Sequence, residues 1–215
     1  MALRMKGLEY EVINVNAPHE IKRYNARGRV PVLLADGEKI ADSSDILSWL
    51  DERYPDPPLD LCDARERATV KILEDWADEV PYFYGMYFRF IDPENFACMK
   101  REVFAKMPAP LRWLVPGIAL RVVKKRANGQ GVGTKGLEVV YREARECLDA
   151  LEGRLGEQGF LVGDRLTRAD LAVAAVLDQW FHPLLTPTMA PELERRPALA
   201  AYLDRVHAIA PSAAL

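Results

Sequence analysis

The stretch from Gly28 to Leu50, GRVPVLLADGEKIADSSDILSWL, restricts the fold of this chain more than any other. Val32, Leu33 and Leu34 form an apolar run of strand length. Asp36-Gly37 follows, a pair that tolerates the left-handed backbone a two-residue hairpin turn requires. Glu38, Lys39 and Ile40 lead back, so the spacing predicts two antiparallel strands. Asp42-Ser43-Ser44-Asp45 then precedes Ile46, Leu47, Trp49 and Leu50, which recur at helical spacing. Ser and Asp side chains at a helix start accept hydrogen bonds from the unpaired first-turn N–H groups. The same groups, at the positive end of the helix dipole, can hold a carboxylate. A proline ahead of one strand and a hydroxyl-bearing helix start after the next therefore meet at one edge of a small sheet.

This arrangement resembles the second half of the N-terminal, thioredoxin-like domain of cytosolic glutathione S-transferases. The matching motifs are Val30-Pro31, where the family places a cis-proline, and Asp42-Ser43, its acid-Ser pair. The resemblance implies that the Val30 backbone pairs with the cysteinyl part of glutathione and that Pro31 sets the bend. It also implies that Asp42 and Ser43, with the helix start, hold the γ-glutamyl group.

The region before this stretch is shorter than the resemblance leads one to expect. Met1 to Lys6 reads as the last turns of a helix ended by Gly7, and Leu8 to Val15 alternates as a strand does. Pro18 to Asn25 reads as a short polar helix. The family's first strand and most of its first helix have no counterpart here. Neither does its catalytic Tyr, Ser or Cys, whose hydroxyl or thiol favours the glutathione thiolate. That residue is expected upstream of Met1; Tyr10 lies in the following strand and is not assigned the role. An upstream start, a clipped chain, or a protein that has lost the strand would each account for the pattern, and the first two are preferred. Without the first strand, residues 8–15 and 32–40 lose a shared partner.

At 215 residues the chain fits one large or two small domains. Its net charge of −3 gives no global electrostatic case for nucleic acid or membrane binding. Cys62, Cys98 and Cys147 form no CxxC pair, which argues against a disulfide framework or zinc site and fits a reducing compartment. His19, His182 and His207 lack metal-ligand spacing. With no signal peptide or membrane-length apolar run, a soluble, cytoplasmic protein is expected.

Past a Pro-rich linker, PDPPLDLCD, the pattern turns helical from Ala64. Leu73, Trp76, Val80, Phe83, Tyr84, Tyr87 and Phe88 recur at three- and four-residue steps, with Pro81 breaking or kinking the run. The aromatic cluster around Tyr84 and Tyr87 reads first as core. By resemblance the equivalent helix faces glutathione, which makes these two tyrosines weak candidates for an apolar substrate pocket. Phe96 to Met107 reads as a short helix broken by MPAPLRWLVPG, and Ile118 to Ala127 as another. Arg121, Lys124, Lys125 and Arg126 read as a solvated helix end. Gly129 to Gly133 follows no strand and reads as a turn rather than a nucleotide loop. The long insert bears a weak resemblance to the family's metaxin-like relatives.

Leu137, Val140, Tyr141, Ala144, Leu148, Leu151 and Leu155 predict an amphipathic helix, with Cys147 beside the stripe. In GFLVGDRLTRADLAVAAVL, Thr167 and Asp170 have capping-box spacing, and Ala169 to Leu177 is apolar almost all round. This second family hallmark is structural. Arg196-Pro197 opens a last helix.

The resulting expectation is an α/β plus all-α protein. A partial thioredoxin-like domain spans residues 1–54 and an all-helical domain residues 63–215. The implied activity, of the detoxification kind, is addition of glutathione, as co-substrate and without a metal, to a small apolar electrophile. A non-catalytic binding or interaction protein and a glutathione-dependent thiol reductase stand as alternatives. The implied assembly is a homodimer, with no nucleic-acid or membrane partner.

Overall fold

The hairpin forms as its turn residues dictate. In the computed structural model, which describes residues 1–15, 18–60, 63–155 and 159–211, β1 (Val32–Ala35) pairs antiparallel with β2 (Glu38–Ala41). Val32 faces Ala41 and Ala35 faces Glu38 across a turn whose residues, Asp36 and Gly37, both have positive φ. These are the two strands of the sheet among the described residues. Two helical pieces precede them, α1 (Ala2–Met5), ended at Gly7 with φ +65°, and α2 (Pro18–Tyr24). α3 (Ser43–Arg53) packs back on the hairpin, Arg53 donating to Asp36 at 2.9 Å and Trp49 Nε1 to Glu38 at 3.1 Å.

Residues 8–15, expected as a strand, are not one. Their alternation is present, but a strand needs a neighbour for its backbone N–H and C=O groups, and the ladder ends at β1. Val12 and Ile13 are more than half exposed as a result. The segment is held instead at its start. Lys6, whose side chain is fully buried, donates to Asp51 at 2.8 Å, to the Tyr54 carbonyl at 2.5 Å and to the Pro57 carbonyl at 2.9 Å.

The linker crosses to the helices by burying Leu59, whose N–H donates to Asp51 and whose carbonyl accepts from Arg168. The helical part comprises α4 (Ala64–Glu79), α5 (Pro81–Phe90), α6 (Pro93–Glu102), α7 (Leu111–Gln130), α8 (Leu137–Arg154), α9 (Arg168–Trp180), α10 (Ala190–Glu194) and α11 (Pro197–Ile209). Pro81 separates α4 from α5, because it offers no N–H to continue the ladder. Its carbonyl accepts from the buried Trp180 indole at 3.0 Å. Gly85 lets that indole approach the α5 backbone, since a Cβ there would meet Trp180 at 3.0 Å. Val140, Ala144, Leu148 and Leu151 of α8 are buried as their spacing predicts, as are Leu199, Tyr202, Leu203 and Val206 of α11.

The region expected to break between 107 and 117 differs. α7 is one twenty-residue helix that runs through Pro116 and Gly117. Pro116 lies early in the helix, where it removes one ladder bond, and its ring is buried together with Val123 and Ala127. The helix ends at Gly131, φ +109°. Fold class thus follows expectation: a thioredoxin-like N-terminal part with a short sheet, then a helical part.

Candidate functional site

The hairpin and the start of α3 are joined by backbone. The Val30–Pro31 peptide is cis, and the Pro31 carbonyl accepts from the Asp42 N–H at 3.4 Å. The strand entrance and the helix cap, eleven positions apart in sequence, are thereby neighbours. Asp42 holds φ +94° with ψ +138°, outside the left-handed helical region and rarely adopted by L-residues. From that position Oδ1 accepts from the Ser44 N–H at 3.2 Å, the first-turn capping bond. Ser43 follows as a half-buried first helical residue.

A second helix completes the surroundings. Ser44 Oγ donates to Glu74 Oε1 at 2.7 Å. Glu74 occupies the buried stripe of α4 with Val70 and Ala77 and is 2% exposed. Its Oε2 has no hydrogen-bond partner among the described residues. One turn on, Asp78 is pushed up to about 6 by partial burial, then by the charges of Glu74 and Asp42. One small region therefore offers helix-start N–H groups and the Ser43 hydroxyl to an anion, and three carboxylates to a cation. That combination suits a zwitterionic α-amino acid group.

Val30 and Pro31 also face a cavity of about 660 Å³ between residues 8–15 and β1. Val12, Ile13, Val32 and Trp49 give it apolar walls, and Tyr10, Tyr24 and Tyr54 also line it. The Tyr10 oxygen accepts from Arg4 Nε at 2.8 Å, which leaves its proton to donate elsewhere.

The weak pocket candidates lie apart from this site. Tyr84 and Tyr87 are 8% and 4% exposed in the helical core. Tyr84 donates to Glu143 at 2.9 Å and stacks edge-on against Trp180; Tyr87 donates to the Lys135 carbonyl at 3.2 Å. Burial, then the bond to Glu143, raises the Tyr84 phenol. Neither residue lines the cavity beside β1.

Thr167 and Asp170 form the capping box of α9. Asp170 Oδ2 accepts from the Thr167 N–H at 2.8 Å and its hydroxyl at 2.9 Å, while Oδ1 accepts from the Leu161 N–H at 2.9 Å. Both residues are fully buried. Burial raises the Asp170 carboxyl while these bonds oppose the shift. Cys147, half-buried, has its thiol pushed up to about 11 by burial, then by Glu143 and Glu146, which keeps it unreactive. Cys62 lies outside the described residues. His182 accepts from two backbone N–H groups and His207 faces Asp178. The described residues contain no metal-binding cluster of His, Cys, Asp and Glu.

Sequence reasoning passed over Ser44, Glu74, Asp78 and the Arg4–Tyr10 pair. One signal was present: a glutamate on the apolar stripe of α4, flanked at helical spacing by Val70 and Ala77.

Two family profiles match the chain: "Glutathione S-transferase, N-terminal domain" over residues 1–58 and "Glutathione S-transferase, C-terminal domain" over residues 131–210. Protein LigF of Sphingobium sp. strain NBRC 103272 / SYK-6 is 25% identical over 221 aligned positions, covering 94% of this chain and 81% of LigF. The crystal structure titled beta-etherase LigF shares the fold, with a TM-score of 0.63 at 23% identity over 96% of this chain and 87% of that one. Metaxin-1 of Macaca fascicularis is 30% identical across 81% of this chain, which spans 56% of that protein's length. A glutathione S-transferase of Methylobacterium radiotolerans, solved in complex with glutathione sulfonate, has a TM-score of 0.58 at 26% identity, covering 96% of this chain and 82% of that one. With both domain profiles present in order and the fold shared along the chain, this protein belongs to the glutathione S-transferase superfamily.

Proposed function

We propose that the chain binds glutathione at the junction of the cis Val30–Pro31 peptide and the start of α3, and presents its sulfur to a small apolar electrophile in the cavity beside β1. The observation that supports this best is the Pro31–Asp42 backbone bond, which sets the two family motifs side by side. In this reading Ser43 and the first N–H groups of α3 take the γ-glutamyl carboxylate. Asp42 and Asp78 face its ammonium, and the Val30 backbone pairs with the cysteinyl unit. The thiolate attacks an electrophilic carbon; a sulfur–carbon bond forms, and the displaced group leaves with the electron pair and takes a proton. The likeness to beta-etherase LigF adds ethers to the candidate electrophiles. The division into residues 1–54 and 63–215, a homodimer and a cytoplasmic location belong to the same reading.

Binding without chemistry is the second reading, favoured by one observation: the polar groups at the start of α3, with Glu74 of α4, can hold a zwitterion with no group acting on its sulfur. Tyr10 is the one described hydroxyl at the cavity held by a cation, and it separates the two readings. Calorimetry on the 215-residue chain should detect glutathione binding that weakens as pH falls below about 6, where Asp78 takes up a proton. Tyr10→Phe should then keep affinity but lose turnover of a chromogenic aryl halide. Absence of binding refutes both readings; binding with no turnover in either protein leaves the binding module.

A further inference from the structure

α7 has two apolar faces and packs only one of them. Pro116, Val123 and Ala127 are buried against the helical core. On the opposite side Leu111, Leu114, Ile118 and Val122, spaced three, four and four residues apart, are 48%, 58%, 59% and 52% exposed. Trp113, round the helix from this strip, is also 66% exposed, with the Arg112 guanidinium 4.5 Å above its ring. Four large aliphatic side chains on one helix face form a continuous strip, unlike the scattered apolar residues of an ordinary surface.

The charge around the patch is one-sided. Residues 103–137 hold seven Lys or Arg and no Asp or Glu, in a chain whose net charge is −3. Lys125 falls within the exposed strip, Arg121 and Arg126 flank it, and Lys124 lies farther round the helix. Among the described residues none of these four forms an ion pair. A helix with an exposed aliphatic strip and unopposed cations fits the boundary of an anionic bilayer. There the side chains enter the acyl region and the cations meet the headgroups. We propose that α7 is a peripheral docking surface for anionic lipid membranes. The described helices include none long and apolar enough to cross a membrane, so contact is by lying on the surface.

Other occupants fit less well. A second copy would bury Arg121 and Lys125 with no carboxylate on the helix to pair them. A nucleic acid would meet the cations but leave the aliphatic strip in water.

Co-sedimentation with vesicles of phosphatidylcholine and about one-third phosphatidylserine tests the proposal. The chain should bind these vesicles and not pure phosphatidylcholine. Arg121→Gln with Lys125→Gln should weaken binding roughly thirtyfold. Leu114→Asn with Ile118→Asn should abolish it. Because all four side chains are exposed, the thermal midpoint should stay unchanged in both double variants, which separates lost docking from lost folding. Three results would overturn the proposal: no binding to the anionic vesicles, binding indifferent to the Leu114 and Ile118 changes, or a solution dimer that those changes dissociate. Glutathione binding plays no part in the test.

Discussion

The starts of α3 and α9 are built from the same materials, a carboxylate, a hydroxyl and first-turn N–H groups, and they are put to different ends. At α9 every group turns inward. Asp170 accepts three hydrogen bonds in a site closed to water. At α3 the capping is partial. Asp42 is exposed and satisfies the Ser44 N–H, Ser43 is half open, and Glu74 and Asp78 add charge that the helix itself does not need. In the proposed reading the α3 cap serves as a ligand site because its polar groups exceed what the helix start requires.

That contrast can be broken in graded steps. Asp170→Ala strands the Leu161 and Thr167 N–H groups in a dry site, at roughly 1–3 kcal/mol for each buried donor. Urea unfolding should report a loss of about 3–5 kcal/mol, the largest effect expected. Thr167→Ala removes only the hydroxyl side of the box and should cost about 0.5–2 kcal/mol by the same measurement. Ser43→Ala should leave the urea midpoint nearly unchanged and weaken glutathione about tenfold by calorimetry, the loss of one hydrogen bond to a charged group. Equal affinity in the two proteins would remove Ser43 from the site. Smallest is Asp78→Asn. A carboxyl held near 6 in the folded chain, above its unfolded value, favours folding least when ionised. The penalty therefore sets in above pH 4 or so and is complete above about 6. Since Asp78 is partly open to solvent, removing it should raise stability at pH 7 by no more than about 0.5 kcal/mol, with no gain at pH 4.

What the sequence made legible was local. The hairpin turn, the Asp42 cap, the helix break at Pro81 and the Thr167–Asp170 box each depend on residues within a few positions of one another. Local chemistry there agreed with the fold. Residues 8–15 misled because alternation describes a strand's faces and says nothing about whether a neighbour exists to pair with it. α7 misled in the opposite sense: Pro116 and Gly117 are breakers by propensity, yet the helix continues because its ring side is packed. The carboxylates of α4 and the Arg4–Tyr10 contact were beyond reach for a third reason, since their partners come from other elements. Tyr84 and Tyr87 followed the plainer of their two readings and pack in the core.

Lys6 joins three segments at the point where the sheet hands over to the helices: the end of α3, the Tyr54 carbonyl and the Pro57 carbonyl. All three acceptors belong to the N-terminal part and the start of the linker, so for that stretch to peel away the ammonium would first have to leave them while still shielded from water. The start of the linker is therefore latched by one buried cation, and the tie across to the helices falls to a second, Arg168 of α9, which reaches Asp60 at 2.9 Å and Ser48 of α3 at 3.2 Å.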